Sequence, residues 1–96
     1  MKIRWTKGAA DNLENIEAYI GKDNPGAAIE MVLKVVNSVS RLSKYPAAGR
    51  PGRIEETREL VIPDTPFIVP YRIKNETIQI LRVFHHSQKW PKNLNL

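Results

Sequence analysis

Two adjacent histidines, His85 and His86, lie in a stretch from Thr77 to Leu96 that holds Arg82, Lys89 and Lys92 and no acidic residue. Histidine changes charge near neutral pH, so it can act as a general acid or base. Cleavage of RNA by acid–base chemistry needs a proton acceptor, a proton donor and a cation near the charge developing on phosphorus. His85, His86, Arg82 and Arg72 supply those types, with Lys89 as a further cation. Sequential residues on a strand face opposite sides, so the two histidines are not expected to share a metal ion. No glycine-rich phosphate loop, Ser-His-Asp signal or metal-ligand cluster accompanies them, and neither a metal nor a cofactor is expected.

Arg58, Arg72 and Arg82 each fall within a different predicted strand. An arginine is costly to bury unless it is paired, so each should point to the open face or the rim of a sheet. In a meander these side chains could converge on the face away from the helices. Such a guanidinium cluster binds phosphates bidentately, or an acidic protein segment. The alternative is local pairing with Glu55, Glu56, Glu59 and Glu76. Trp90 can stack on a base or anchor the chain by packing beneath the sheet, and packing is the expected role. Arg58, Arg72, Arg82, Lys89 and Trp90 are thus the candidate partner- or target-binding residues.

These side chains must be positioned by elements legible in the pattern. Lys2 to Trp5 alternates and suits a short strand with Ile3 and Trp5 on one face. Thr6 is placed to cap a helix carrying Ala9, Leu13, Ile16 and Ile20 as one apolar stripe, ending at Gly21. Asn24 and Pro25 start a second helix, with Ala28, Val32, Val35, Val39 and Leu42 along one face. The short link between the two predicts an antiparallel hairpin. Tyr45 to Arg53, with two prolines and two glycines, is expected to be irregular. Three strand-like runs follow at 57–62, 67–74 and 78–84. The last is apolar on both faces and reads as a central strand. Pro70 lacks a ladder donor, so the middle run should lie near an edge or carry a bulge there. The order β-α-α-β-β-β predicts an α+β, two-layer fold: an N-terminal strand, then a helical hairpin packed on one face of a mostly antiparallel sheet.

Ninety-six residues make a single domain, 1–96, and a hydrophobic content of 42% excludes intrinsic disorder. No apolar run reaches the roughly 18–20 residues of a membrane span, and the N-terminus carries no apolar signal-peptide core. Zero cysteines exclude a disulfide scaffold, a thiol nucleophile and a Cys-based zinc site. The expected compartment is the cytosol. Fifteen Lys+Arg against ten Asp+Glu give a formal net charge of +5, which favours an anionic partner. The acid-free last twenty residues are the basic end.

Four segments together carry a resemblance to a known family. They are Gly49-Arg50-Pro51-Gly52-Arg53, Thr57-Arg58-Glu59-Leu60-Val61-Ile62, Pro66 to Ile73 and Ile80 to Pro91. With the N-terminal strand and the hairpin, the chain resembles the RelE/ParE superfamily, the toxins of bacterial type II toxin–antitoxin modules. The resemblance implies a small toxin neutralised by a cognate antitoxin and held with it in a hetero-oligomer, and no membrane partner. It implies two targets. ParE-like toxins poison DNA gyrase without acting as enzymes; RelE-like toxins are endoribonucleases that cut mRNA on the ribosome. RelE-like nucleases place an arginine after the aromatic that opens the third strand, where Ile68 follows Phe67 here. No tyrosine lies beyond Tyr71. The incomplete nuclease set and the long hairpin favour the ParE-like branch, with His85 and His86 keeping the nuclease as the alternative.

Overall fold

The computed structural model describes residues 1–91 and residue 94. The elements are β1 (Lys2–Trp5), α1 (Lys7–Gly21), α2 (Pro25–Ser40), a 3₁₀ turn (Arg41–Ser43), β2 (Arg50–Pro51), β3 (Arg58–Val61), β4 (Phe67–Lys74), β5 (Thr77–Ile80) and β6 (Phe84–His85). Both helix starts follow the expected capping chemistry. The Thr6 hydroxyl accepts from the Ala9 N–H, and the Asn24 side chain accepts from the Ala27 N–H with Pro25 at the first helical position. Each cap satisfies a donor the helix itself leaves orphaned, worth about 1 kcal/mol. The second helix ends at Ser40, and Leu42 joins the core from the 3₁₀ turn instead.

The strands form one mixed sheet in the order β1-β5-β4-β3-β2, with β6 also paired to β4. All pairings are antiparallel except β1 with β5, which is parallel. This is the expected α+β architecture, with two short strands added. One of them, β2, lies within the segment expected to be irregular. The helices cover one face. Ala9, Val35 and Val39 from α1 and α2, with Leu42, meet Val69, Tyr71, Ile78 and Ile80 from the sheet, and Ile3 and Trp5 pack against the same core.

Phe67–Lys74 is the middle strand of the sheet and not near an edge, and 78–84 is interior, between β1 and β4, but broken in two. The break has one cause. Pro70 is fully buried in β4, and its carbonyl accepts from the Leu81 N–H. Proline has no N–H to return, so the ladder on that side cannot continue. Pairing resumes only at Phe84 opposite Ile68, after stopping at Ile80 opposite Tyr71. Three residues, Leu81 to Val83, therefore face two, Pro70 and Val69. The extra residue is a bulge, so the proline's demand is met in the neighbouring strand. Helix α1 satisfies the interrupted backbone. The Thr6 hydroxyl donates to the Ile80 carbonyl at 2.7 Å, and the Asn12 Oδ1 accepts from the Val83 N–H at 3.0 Å.

The bulge shifts the phase of the strand. Leu81 and Phe84 join Leu94, Ile54 and Trp90 in a second apolar cluster. Phe84 is paired with Ile68, whose side chain lies on the face away from the helices. That face is thus half covered. Below the cluster, Glu59 is 3% exposed. Its Oε1 accepts from Arg50 Nη2 at 3.1 Å, and its Oε2 accepts from the Arg53 N–H at 2.8 Å and from Arg53 Nε at 3.2 Å. The Arg53 guanidinium lies 3.7 Å from the centre of the Trp90 ring. Burial of the Glu59 carboxyl acts to raise its pKa, but the hydrogen bonds from Arg53 and Arg50 outweigh it and hold the group below the usual carboxylate range.

On the helix side, the fully buried Tyr71 hydroxyl donates to the Pro46 carbonyl at 2.7 Å and accepts from the Gly49 N–H at 2.9 Å. Burial pushes the phenol above its ordinary value, so it stays a protonated donor. Gly49 is required by space. A Cβ there would stand 2.6 Å from Tyr71 Cε1 and 2.8 Å from its hydroxyl. Gly49→Ala should cost about 1–3 kcal/mol of overpacking, read as a melting temperature lowered by several degrees. Glu59→Gln tests the ion-pair network through pH. Glu59's lowered native pKa contributes stability that is complete above the unfolded value near 4.5 and is lost as pH falls through the native value. Urea melts of Glu59→Gln from pH 7 down to pH 2 should show that acid-side component missing, with a loss of about 1–3 kcal/mol at neutral pH.

Candidate basic face and histidine groove

The strand register places cations side by side on the face away from the helices. Lys2, Thr77 and Lys74 form one row across β1, β5 and β4, and Arg4, Gln79 and Arg72 form the next. Directly paired residues share a face, and the alternate residues Ile3, Ile78 and Tyr71 lie in the helix-side core. The Arg72 Nε donates to Gln79 Oε1 at 2.6 Å, a neutral partner that orients the guanidinium without cancelling its charge.

Arg82 joins this array because of the bulge. As part of the extra loop of residues it leaves the alternation of β5, and its guanidinium lies against Gly8 at the start of α1, where a Cβ would collide with it. It donates to the Leu81 carbonyl at 2.6 Å and the Leu94 carbonyl at 3.3 Å. Arg4, Arg72, Arg82 and Lys7 line one groove of about 310 Å³. Lys7 pairs with Asp11 at 2.7 Å. Among the described residues, Lys2, Arg4, Arg72, Lys74 and Arg82 make no ion pair.

The other candidates go elsewhere. Arg58 lies opposite Tyr71, on the helix side, where it donates to the Gly49 carbonyl at 2.7 Å. It does not converge with Arg72 and Arg82. None of the three arginines pairs with Glu55, Glu56, Glu59 or Glu76 among the described residues; Glu59 is taken by Arg50 and Arg53. Trp90 packs, as expected, with its ring 4.6 Å from that of Phe84. Lys89 is exposed in the C-terminal segment, and Lys92 lies outside the described residues.

His85 is paired with Phe67 and faces the helix side, its ring edge-on to Phe67 at 5.7 Å. It lines an apolar groove of about 570 Å³ with Ile16, Tyr19, Ile20 and Met31. His86 is exposed and its ring stacks on that of His85 at 4.8 Å, because the strand ends there and alternation lapses. The Ser87 hydroxyl and Ser87 N–H lie 2.7 and 3.1 Å from His85 Nδ1. The groove of His85 and the groove of Arg72 and Arg82 share no residue. The histidine and arginine types needed for RNA cleavage are therefore present but are not gathered into one site. Ile68, at the position where the nuclease resemblance calls for arginine, is buried. Among the described residues no three His, Asp or Glu side chains gather as a metal site.

Lys2 and Arg4 are the site residues that no motif marks. Their signal is the polar half of the Lys-Ile-Arg-Trp alternation, and it gains meaning only when β1 pairs with β5.

Residues 3–90 match the family described as the ParE toxin of the type II toxin–antitoxin system parDE. Y4kP of Sinorhizobium fredii, named as a toxin, is 50% identical over 93 residues, covering 97% of this chain and 96% of that protein. Toxin RelE2 of Caulobacter vibrioides is 30% identical over 87 residues, covering 91% and 97%. Among solved structures, the chromosomal ParDE system from P. aeruginosa superposes with a TM-score of 0.81 at 33% identity, covering 88% of this chain and 95% of that one. The RelBE2 toxin–antitoxin complex from Mycobacterium tuberculosis superposes with a TM-score of 0.58 at 29% identity, with the same coverage. With the full length of the fold matched at this level, the chain belongs to the ParE toxin family of type II toxin–antitoxin systems.

Proposed function

We propose that this toxin arrests growth by binding and poisoning DNA gyrase, without catalysis of its own, and that a cognate antitoxin neutralises it by covering its surface. The observation that carries the first part is the separation of His85 and His86 from Arg72 and Arg82. General acid–base catalysis needs its proton-transfer groups within hydrogen-bond reach of one reacting centre. Here His85 lines a groove on the helix side of the sheet, His86 is exposed at the strand end, and Arg72 and Arg82 line a separate groove that contains neither. The match to the ParE family supports the same reading.

The antitoxin reading rests on surface chemistry. Arg72 and Arg82 make no ion pair among the described residues, so a partner that covers them must bring carboxylates. Two apolar grooves offer anchors for the same partner. One is the His85 groove; the other, of about 660 Å³, lies between the 3₁₀ turn and β3 and includes Tyr45, Leu60 and Val61. Such a partner fits the pattern of protein interfaces, apolar where buried and polar at the rim. The solved neighbours include a toxin–antitoxin complex.

A second reading, ribosome-dependent cleavage of mRNA, is kept by the cations of the basic face and by the relative named RelE2. One preparation tests both. Supercoiling by gyrase should be inhibited by the toxin and restored by antitoxin, while ribosome-bound mRNA stays intact. Normal supercoiling at toxin concentrations that saturate the antitoxin contradicts the gyrase reading, and cleavage of A-site mRNA replaces it with the nuclease. In cells, His85→Ala and His86→Ala should arrest growth as wild type does, within about twofold in colony counts. A loss of toxicity with antitoxin binding retained assigns the histidines to chemistry.

A further inference from the structure

Helix α2 is apolar on more than the face it buries. Ala28, Val35 and Val39 lie in the core. Ile29, Leu33 and Val36 follow one another at spacings of four and three, so they form a second stripe along the helix. They are 59%, 52% and 39% exposed. The small residues Gly26 and Ser40 continue the same line at its two ends. A contiguous exposed apolar stripe marks an interaction surface. It shares no residue with the His85 groove, the Tyr45 groove or the groove of Arg72 and Arg82.

The borders of the stripe decide what covers it. Val32 and Val36 line a groove of about 280 Å³ with Leu13, Glu14 and Glu17 of α1, so this border is acidic. The opposite border carries Glu30 and Lys34, both exposed. None of these four charged residues makes an ion pair among the described residues. A partner that brings carboxylates to the basic face is repelled at Glu14 and Glu17. A second copy of the chain fits better. Two copies that meet face to face about a two-fold axis running along the stripe set each border against the opposite border of the other. Leu33 then meets Leu33 of the second copy, and Lys34 of each turns toward the acidic border of the other.

We propose that two copies of the toxin associate through Ile29, Leu33 and Val36 of α2, with Lys34 of each copy facing Glu14 and Glu17 of the other. So short a stripe is far smaller than the roughly 20–30 residues a side of a standard interface, so the dimer is weak and reversible. The contact leaves both apolar grooves and the basic face open, and the paired toxin still admits its antitoxin. This goes beyond the gyrase reading and does not depend on it.

Sedimentation equilibrium of the full-length toxin tests the contact from about 5 to about 500 μM. The mean mass should rise with concentration from 11.0 kDa toward twice that value. Leu33→Asp, at a half-exposed position, should keep a folded circular-dichroism spectrum and stay monomeric throughout. Lys34→Glu should weaken the dimer by about tenfold, and its combination with Glu14→Lys and Glu17→Lys should restore the association. Tyr45→Asn, in a groove the contact leaves open, should change nothing. A monomer at the highest concentration overturns the proposal. So does a dimer that survives Leu33→Asp, or equal association of the wild type and Lys34→Glu. Loss of antitoxin binding in folded Leu33→Asp assigns the stripe to the antitoxin and overturns it as well.

Discussion

A single missing hydrogen-bond donor organises the outer face of this fold. Pro70 sits in the middle of the central strand, where a ladder bond is due and cannot form. The neighbouring strand answers by splitting into β5 and β6 with one residue to spare. Three consequences follow from that spare residue. The phase of the strand reverses, so Leu81 and Phe84 cover one half of the outer face. The freed backbone is taken up by Thr6 and Asn12, which fastens α1 to the sheet. Arg82 is turned onto the start of α1 beside Arg4 and Arg72. A bulge is a recurrent device for re-aiming a side chain next to a working surface, and here the proline in the facing strand makes it obligatory.

The outer face is thereby divided into two electrostatic regimes. In the covered half, Glu59 is buried and satisfied by two arginines, and the second of these is sandwiched under Trp90. Removing water there makes pairing necessary, since an unpaired buried charge is costly. In the bare half, Arg72 and Arg82 are oriented by neutral groups, and neither makes an ion pair among the described residues. Five of the chain's fifteen Lys and Arg lie in this half without an ion pair among the described residues, while Glu59 is committed to Arg50 and Arg53.

Much of this was legible along the chain. The helix starts at Thr6 and Asn24, the alternation of β1 and the turn after Lys74 are local signals, and local chemistry produces them. Pro70 announced a bulge or an edge because a missing donor is a residue property. What the sequence could not reveal was non-local. The apolar run 78–84 reads as one strand until its partner is known. Arg58 and Arg72 look equivalent until the β3–β4 register puts Arg58 beside Tyr71. Lys2 and Arg4 look like an ordinary solvated strand until the parallel pairing of β1 with β5 brings them next to Thr77 and Gln79. His85 and His86 follow the strand rule only to the point where the strand ends, and their rings then stack.

The central claim is that the bare half of the sheet, framed by the bulge, is the surface through which the toxin works. A photo-crosslinking side chain at Gln79, between Arg4 and Arg72, tests it directly in a reaction containing gyrase, DNA and toxin. The account predicts adducts from position 79 to the gyrase–DNA assembly, and their disappearance when antitoxin is added. Adducts from Tyr19 or Tyr45 with none from position 79 would contradict it, placing the working surface on the apolar grooves instead.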